Sequence, residues 1–265
     1  MSPVRISTMT DPDSCRAIED VQREVWGQPE RALVPAEQVR AVVHNGGMLL
    51  LAHDDDELVG FCYAFVGVED RHPILCSHML AVRPAARGRG IGKALKMAQR
   101  DFARERGFAK ITWTFDPLQA RNAYINLSAL GAHARRYFVD HYGAMDDDIN
   151  RGMATDRLLA EWLVASEPAG GDPARDLPWI LDASGEGTAV RPGQHKGEHV
   201  NGDAGLVAIP ADIDALRRAD PRLHHEWRLA LRTTLLEAFA AGLVAVAVDR
   251  TPGAGVAAYV LRRSG

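Results

Sequence analysis

The stretch Cys76–Arg106 constrains this chain more than any other: an apolar run, a loop dense in Arg and Gly, and an amphipathic segment stopped by Gly107. Ile91, Leu95, Ala98 and Phe102 recur at helical spacing and form one stripe, while Lys93, Lys96, Arg100 and Arg104 line another face. The pattern predicts a strand, a tight loop and a helix in immediate succession. Glycines at 88, 90 and 92 let the backbone approach a ligand, and the first helical turn presents unpaired N–H groups at the positive end of the helix dipole. Such a place suits an anion, most naturally phosphate.

Two nucleotide-binding loops share this hardware and fail on their chemistry. A P-loop needs Gly at 87 and Ser or Thr after the lysine, whereas the chain has Arg87 and Ala94. A dinucleotide fingerprint needs Gly at 93, which is Lys. What remains is Arg/Gln-x-x-Gly-x-Gly/Ala, here Arg87-Gly-Arg-Gly90-Ile-Gly92, preceded by Met79-Leu-Ala-Val-Arg-Pro84. This strongly resembles the coenzyme A signature of the GNAT acyltransferase superfamily.

The resemblance implies an α/β (α+β) GNAT fold, a central mixed and mostly antiparallel sheet flanked by helices. It also implies that acetyl-CoA or another acyl-CoA is the co-substrate. Leu80 and Val82 would bond the pantetheine arm through main-chain groups. Arg87, Gly88, Arg89, Gly90, Ile91, Gly92 and Lys93 would hold the pyrophosphate. Asn122 would open the helix after the fifth strand near the pantetheine, with Asn126 one turn on. A family Tyr commonly protonates the departing thiolate, but the corresponding place here is Leu127. Tyr124, Tyr137 or Tyr142 then takes over from another direction, or no acid is needed, since a thiol with a pKa near 8.5 is already a moderate leaving group.

The element order fits. A capped helix is expected over 10–26, a second over 35–45, strands over 48–52 and 58–66 joined by an acidic turn, a strand over 110–115, a short helix over 121–130, and strands over 134–139 and 157–164. The GNAT-like domain is expected to span 1–166, followed by a Pro/Gly linker and a C-terminal α/β subdomain over 167–265, either a second GNAT-like half or an extension of the first sheet. In that subdomain 206–209 reads as a strand, 221–241 as a long helix and 243–248 with 256–261 as a hairpin. The Gly-rich run 191–203 reads as a lid or loop, and His195, Glu198 and His199 are a metal set that no spacing fixes.

Composition matters for what it excludes. With 46% hydrophobic residues and a net charge of −4, the chain is neither disordered nor biased toward nucleic acid. No apolar run reaches the length of a signal core or a membrane span, so a cytoplasmic protein is expected. Three cysteines without ligand spacing give no disulfide framework and no metal site.

The chemistry follows from the resemblance: transfer of an acetyl, succinyl or other acyl group from acyl-CoA directly to the amine of a small molecule, with a free amino acid among the acceptors. Backbone N–H near Leu80 would polarise the thioester. For the proton of the ammonium the residues offer His78, with Glu69, Asp70 and His72 at its approach. The catalytic candidates are therefore His78, Tyr137 and Tyr142. The alternative is a non-catalytic acyl-CoA sensor or assembly module on the same fold; a homodimer through the C-terminal region is expected only by analogy.

Overall fold

The computed structural model describes residues 4–8, 11–27, 29–143, 153–165, 176–253 and 255–263. In chain order these form β1 Arg5–Thr8, α1 Pro12–Trp26, α2 Ala36–His44, β2 Met48–Asp54, β3 Glu57–Glu69, β4 His72–Val82, α3 Ile91–Glu105, β5 Lys110–Phe115, α4 Ala120–Tyr124, β6 His133–Phe138 and β7 Arg157–Leu163. The C-terminal segment adds β8 Trp179–Ser184, β9 Arg191–His195, β10 Ala204–Pro210, α5 Ile213–Ala219, α6 Pro221–Ala240, β11 Leu243–Gly253 and β12 Val256–Arg263. By packing, the chain divides into two units. One takes the described residues up to Trp113 with Leu163–Ala165; the other takes Thr114–Gly143, Ala154–Trp162 and the described residues from 176 onward. Residues 114–143 and 154–162, which precede 166, thus pack with the C-terminal segment.

In the first unit β1, β2, β3 and β4 are antiparallel neighbours and β5 runs parallel to β4. Helix α1 starts because the Asp11 carboxylate accepts the Ser14 N–H at 2.9 Å, and it stops at Gly27, whose φ of 60° closes the last turn. The Gln22 side chain clamps Val34 through both its amide atoms, and the Glu19 carboxylate accepts from Ala36 N–H, which fixes α2 beside α1. One face of the sheet is buried under these helices, with Ile18, Val21, Val39, Leu51, Phe61, Tyr63, Met79 and Ala81 in one cluster.

Helix α3 lies against β2, β3 and β4 and buries Ile91, Leu95, Lys96, Gln99, Arg100 and Ala103. Lys96 and Arg100, on the basic face whose charge would put it at the surface, are 8% and 3% exposed. Arg100 donates to the Val164 carbonyl at 2.9 Å, and Lys96 enters a polar nest described below. Charge alone placed them at the surface, whereas a helix pressed into a sheet buries a wider arc than its apolar stripe.

The second unit is built on strands in the order β7-β6-β11-β12-β10-β8-β9, with β10 and β8 parallel and the other pairings antiparallel. The C-terminal hairpin joins this sheet at β6, where Ala245 pairs with Ala134. Helix α6, capped by the Asp220 carboxylate on the N–H groups of Arg222 and Leu223, buries Leu223, Trp227, Leu231, Leu235 and Ala238. The run 191–203 is not a free loop. It contributes β9, whose Ser184↔Arg191 and Leu181↔His195 pairings with β8 go unannounced because glycine and proline interrupt any alternation. Among the described residues no helix is long and apolar enough to cross a membrane.

Candidate acyl-CoA site

Strand β4 carries the geometry that matters. Its ladder with β5 pairs Leu75↔Ile111 and Cys76↔Thr112, and from Ser77 onward the β5-facing edge of β4 has no strand partner among the described residues. On its other side β4 pairs with β3 from Gly60↔Val82 to Tyr63↔Met79, then skips to Ala64↔Ser77. His78 is the extra residue of a β-bulge, which turns side chains by one step. Ser77 therefore shares the α3 face with Leu80 and Val82, while Met79 and Ala81 face the α1–α2 core.

The loop from Arg83 to Gly90 folds back so that α3 begins beside this open edge. Gly88 and Gly90 have φ of 81° and 78°, a region costly for residues with a Cβ. Gly90 is the N-cap and gives no side-chain cap; the first recorded helical bond is Ala94 N–H to the Gly90 carbonyl at 3.0 Å. The N–H groups of Ile91, Gly92 and Lys93 precede that ladder and point out of the helix start. Around a Cβ placed on Gly88 or Gly90 no atom of the described residues other than the two chain neighbours lies within 4 Å, so the space above the loop is open. Arg89 is tied down, its guanidinium 2.6 Å from the Asp54 carboxylate, which it holds below the usual carboxylate range. Arg87 donates to the Val82 carbonyl at 3.2 Å and is otherwise exposed, as is Lys93. An anion cradle with an extended edge leading away from it fits a diphosphate with a long amide-bearing arm.

His78 is exposed, with the rings of Tyr63 and Phe65 edge-on at centroid distances of 6.1 and 5.8 Å. Desolvation of the imidazole in the fold lowers its pKa, so it is neutral at pH 7. Of the residues at its approach, Glu69 is paired with Lys110 at the end of the β3–β4 hairpin.

The remaining candidates lie in the second unit. Tyr137 is buried, and its hydroxyl donates to the Asp156 carboxylate at 2.5 Å, with burial the first cause of a strongly raised pKa. Arg232 grips the same carboxylate with two bonds of 2.9 Å, so the Tyr137 phenol is a member of an ion-pair network. Tyr142 is different: it is 47% exposed, and its hydroxyl lies 2.8 Å from Thr114 Oγ1. Asn122 is exposed at the start of α4. Asn126 sits in a π-helical turn, Ile125–Ala129, and its buried Nδ2 has no partner among the described residues. Leu127 is buried beside it. His195 and His199 do not converge: His195 Nε2 meets the Glu237 carboxylate at 2.6 Å, and His199 Nδ1 meets the Trp179 carbonyl at 2.7 Å. Among the described residues no group of His, Cys, Asp and Glu gathers as a metal site.

Sequence reasoning overlooked the nest at the end of the β4–β5 ladder. Lys96 Nζ donates to Ser77 Oγ and to Gln99 Oε1, each at 3.0 Å, and sits 3.7 Å from the centroid of the Trp113 ring. Burial lowers its pKa to about 8, with the Cys62 thiol acting in the other direction. The only sign in the sequence was a lysine one position off the apolar stripe.

Comparison with known proteins agrees with this architecture. The acetyltransferase (GNAT) family matches residues 13–127. A search of the curated proteins finds none that matches. Among solved structures, yncA of Salmonella typhimurium, determined with acetyl-CoA, shares 18% identity over 65% of this chain and 100% of its own, with a TM-score of 0.50. A GNAT family acetyltransferase of Elizabethkingia anophelis with acetyl-CoA bound shares 16% identity over 62% of this chain and 99% of its own, at a TM-score of 0.45. An aminoglycoside 6'-acetyltransferase type Ii shares 22% over 62% of this chain and 99% of its own, at 0.48. The loop, α3 and the open strand edge all lie inside residues 13–127, the stretch that matches the acetyltransferase (GNAT) family.

Proposed function

We propose that this chain transfers an acyl group from acyl-CoA directly to the amine of a small molecule, with a free amino acid among the acceptors. The observation that carries this reading is the edge of β4 from Ser77 to Val82, without a strand partner on the β5 side among the described residues and leading away from the start of α3, which has no side-chain cap. The first-turn N–H groups of Ile91, Gly92 and Lys93 would take the diphosphate, and the β4 main chain would take the amide-bearing arm. Acyl-CoA supplies the activated thioester when bound. The residues of this chain do the rest: backbone N–H groups near the His78 bulge stabilise negative charge on the acyl oxygen, and His78, neutral at pH 7, accepts the proton of the incoming ammonium.

One observation favours a second reading. Leu127, buried and apolar, stands where the family commonly has its acidic Tyr, so a binding module that retains the cradle without turnover is the alternative. Thiol release from acetyl-CoA and succinyl-CoA against a panel of amino acids and simple amines separates them. Multiple turnover with one acceptor supports the transferase; tight CoA binding without turnover moves the reading to the sensor.

A further inference from the structure

At the inner end of the β4 edge, where the ladder with β5 stops, the protein gathers hydrogen-bond donors and withholds negative charge. Lys96 is 8% exposed, and its recorded partners are the Ser77 hydroxyl, the Gln99 carbonyl and the face of Trp113, all neutral. No carboxylate is among its partners in the described residues. Gln99 is fully buried, and its Nε2 has no partner among the described residues, so two further donor hydrogens, on the amide whose oxygen meets Lys96, go unused. An ammonium without a counter-charge in a dry site is costly, and an amide left without an acceptor adds to that cost. The titratable group packed against Lys96 is the Cys62 thiol on β3, whose own pKa is raised by burial. The position is suggestive: Ser77, Leu80 and Val82 share one face through the His78 bulge, so an arm running from the start of α3 inward along β4 ends at Ser77.

We infer that the inner end of the β4 edge accepts an acyl group ending in a carboxylate, the half-thioester of a dicarboxylic acid, with Lys96 and Gln99 as the groups that recognise it. This rests on the acyl-CoA reading above and goes further, because the one acceptor of an acetyl group, its thioester carbonyl, is already given to the backbone N–H groups near His78 and leaves nothing charged for these donors. A carboxylate would supply the missing charge and accept from both side chains in charge-assisted bonds. It would also raise the pKa of Lys96, which lies at about 8 in the free protein, so binding near that pH takes up protons.

The test is calorimetric titration of the full chain with CoA, acetyl-CoA, butyryl-CoA and succinyl-CoA at a pH of about 8, in two buffers of different ionisation enthalpy. Succinyl-CoA is expected to bind roughly tenfold or more tighter than butyryl-CoA, with proton uptake that butyryl-CoA lacks. In Lys96→Met both signatures vanish while affinity for CoA itself is kept. Should Lys96→Met not fold, Gln99→Met carries the same comparison and is expected to narrow the preference. Equal binding of butyryl-CoA and succinyl-CoA by the wild type, or a preference that survives in Lys96→Met, overturns the inference while the cradle stands. Absence of binding by any of the four overturns the cradle reading and the inference with it.

Discussion

Lys96 Nζ lies 3.7 Å from the ring centroid of Trp113 and 3.0 Å from Ser77 Oγ, bridging the residues that follow the last paired positions of β4 and β5. A buried ammonium with only neutral partners has a measurable signature in stability. Its folded pKa of about 8 lies below the ordinary lysine value of about 10.5, so between those values the unfolded chain binds more protons and wild-type stability rises with pH. At neutral pH the penalty is about 3 kcal/mol at 1.36 kcal/mol per unit, offset by hydrogen bonds of about 1 kcal/mol each. Lys96→Met is therefore expected to stabilise the free protein by about 1 kcal/mol at pH 7 and to lose that advantage by about pH 10.5. Denaturant midpoints across this range check it; a variant less stable at pH 7 contradicts it.

His78 offers a kinetic prediction. Because desolvation holds its pKa below the ordinary histidine value, it is a free base at neutral pH, and turnover falls only on the acid side of the ordinary histidine range. His78→Ala is expected to lower turnover by about 100-fold with CoA affinity unchanged and the acid limb removed. Unaltered turnover would remove His78 from the mechanism.

The two tyrosines should separate. Tyr137→Phe deletes a buried bond to Asp156 and is expected to cost about 1–3 kcal/mol of stability, leaving the pH profile of turnover as it was. Tyr142→Phe removes an exposed hydroxyl that meets Thr114 and is expected to leave stability unchanged. If Tyr142 supplies the proton of the leaving thiolate, turnover falls in that variant alone. A turnover defect in Tyr137→Phe at full stability would reverse the assignment.

Much of this was legible in the sequence, for physical reasons. The run from Cys76 to Gly107 declares itself because a helix stripe, a glycine loop and an apolar strand are all local patterns, and α3 and β5 appear where spacing puts them. The bulge at His78 was not legible, since two residues against one is a property of the pairing with β3. Strand β9 does not declare itself because Pro192 and Gly193 break the alternation, and it is pairing with β8 that holds it extended. The buried positions of Lys96, Arg100, Tyr137 and Asp156 depend on partners distant in sequence: Ser77, Val164 and Arg232 make each polar group tolerable inside.

The central claim is that the Arg87–Lys93 loop and the start of α3 hold coenzyme A, and titration of CoA into the wild type and Gly90→Val tests it most directly. At a φ of 78° a β-branched residue must distort the loop, although no atom of the described residues other than the two chain neighbours lies within 4 Å of its Cβ. Saturable binding by the wild type is expected, weakened by roughly tenfold or more in Gly90→Val, whose backbone strain lowers the Tm of the free protein by only a few degrees. Absence of binding by the wild type, or equal affinity in the two proteins, would contradict it.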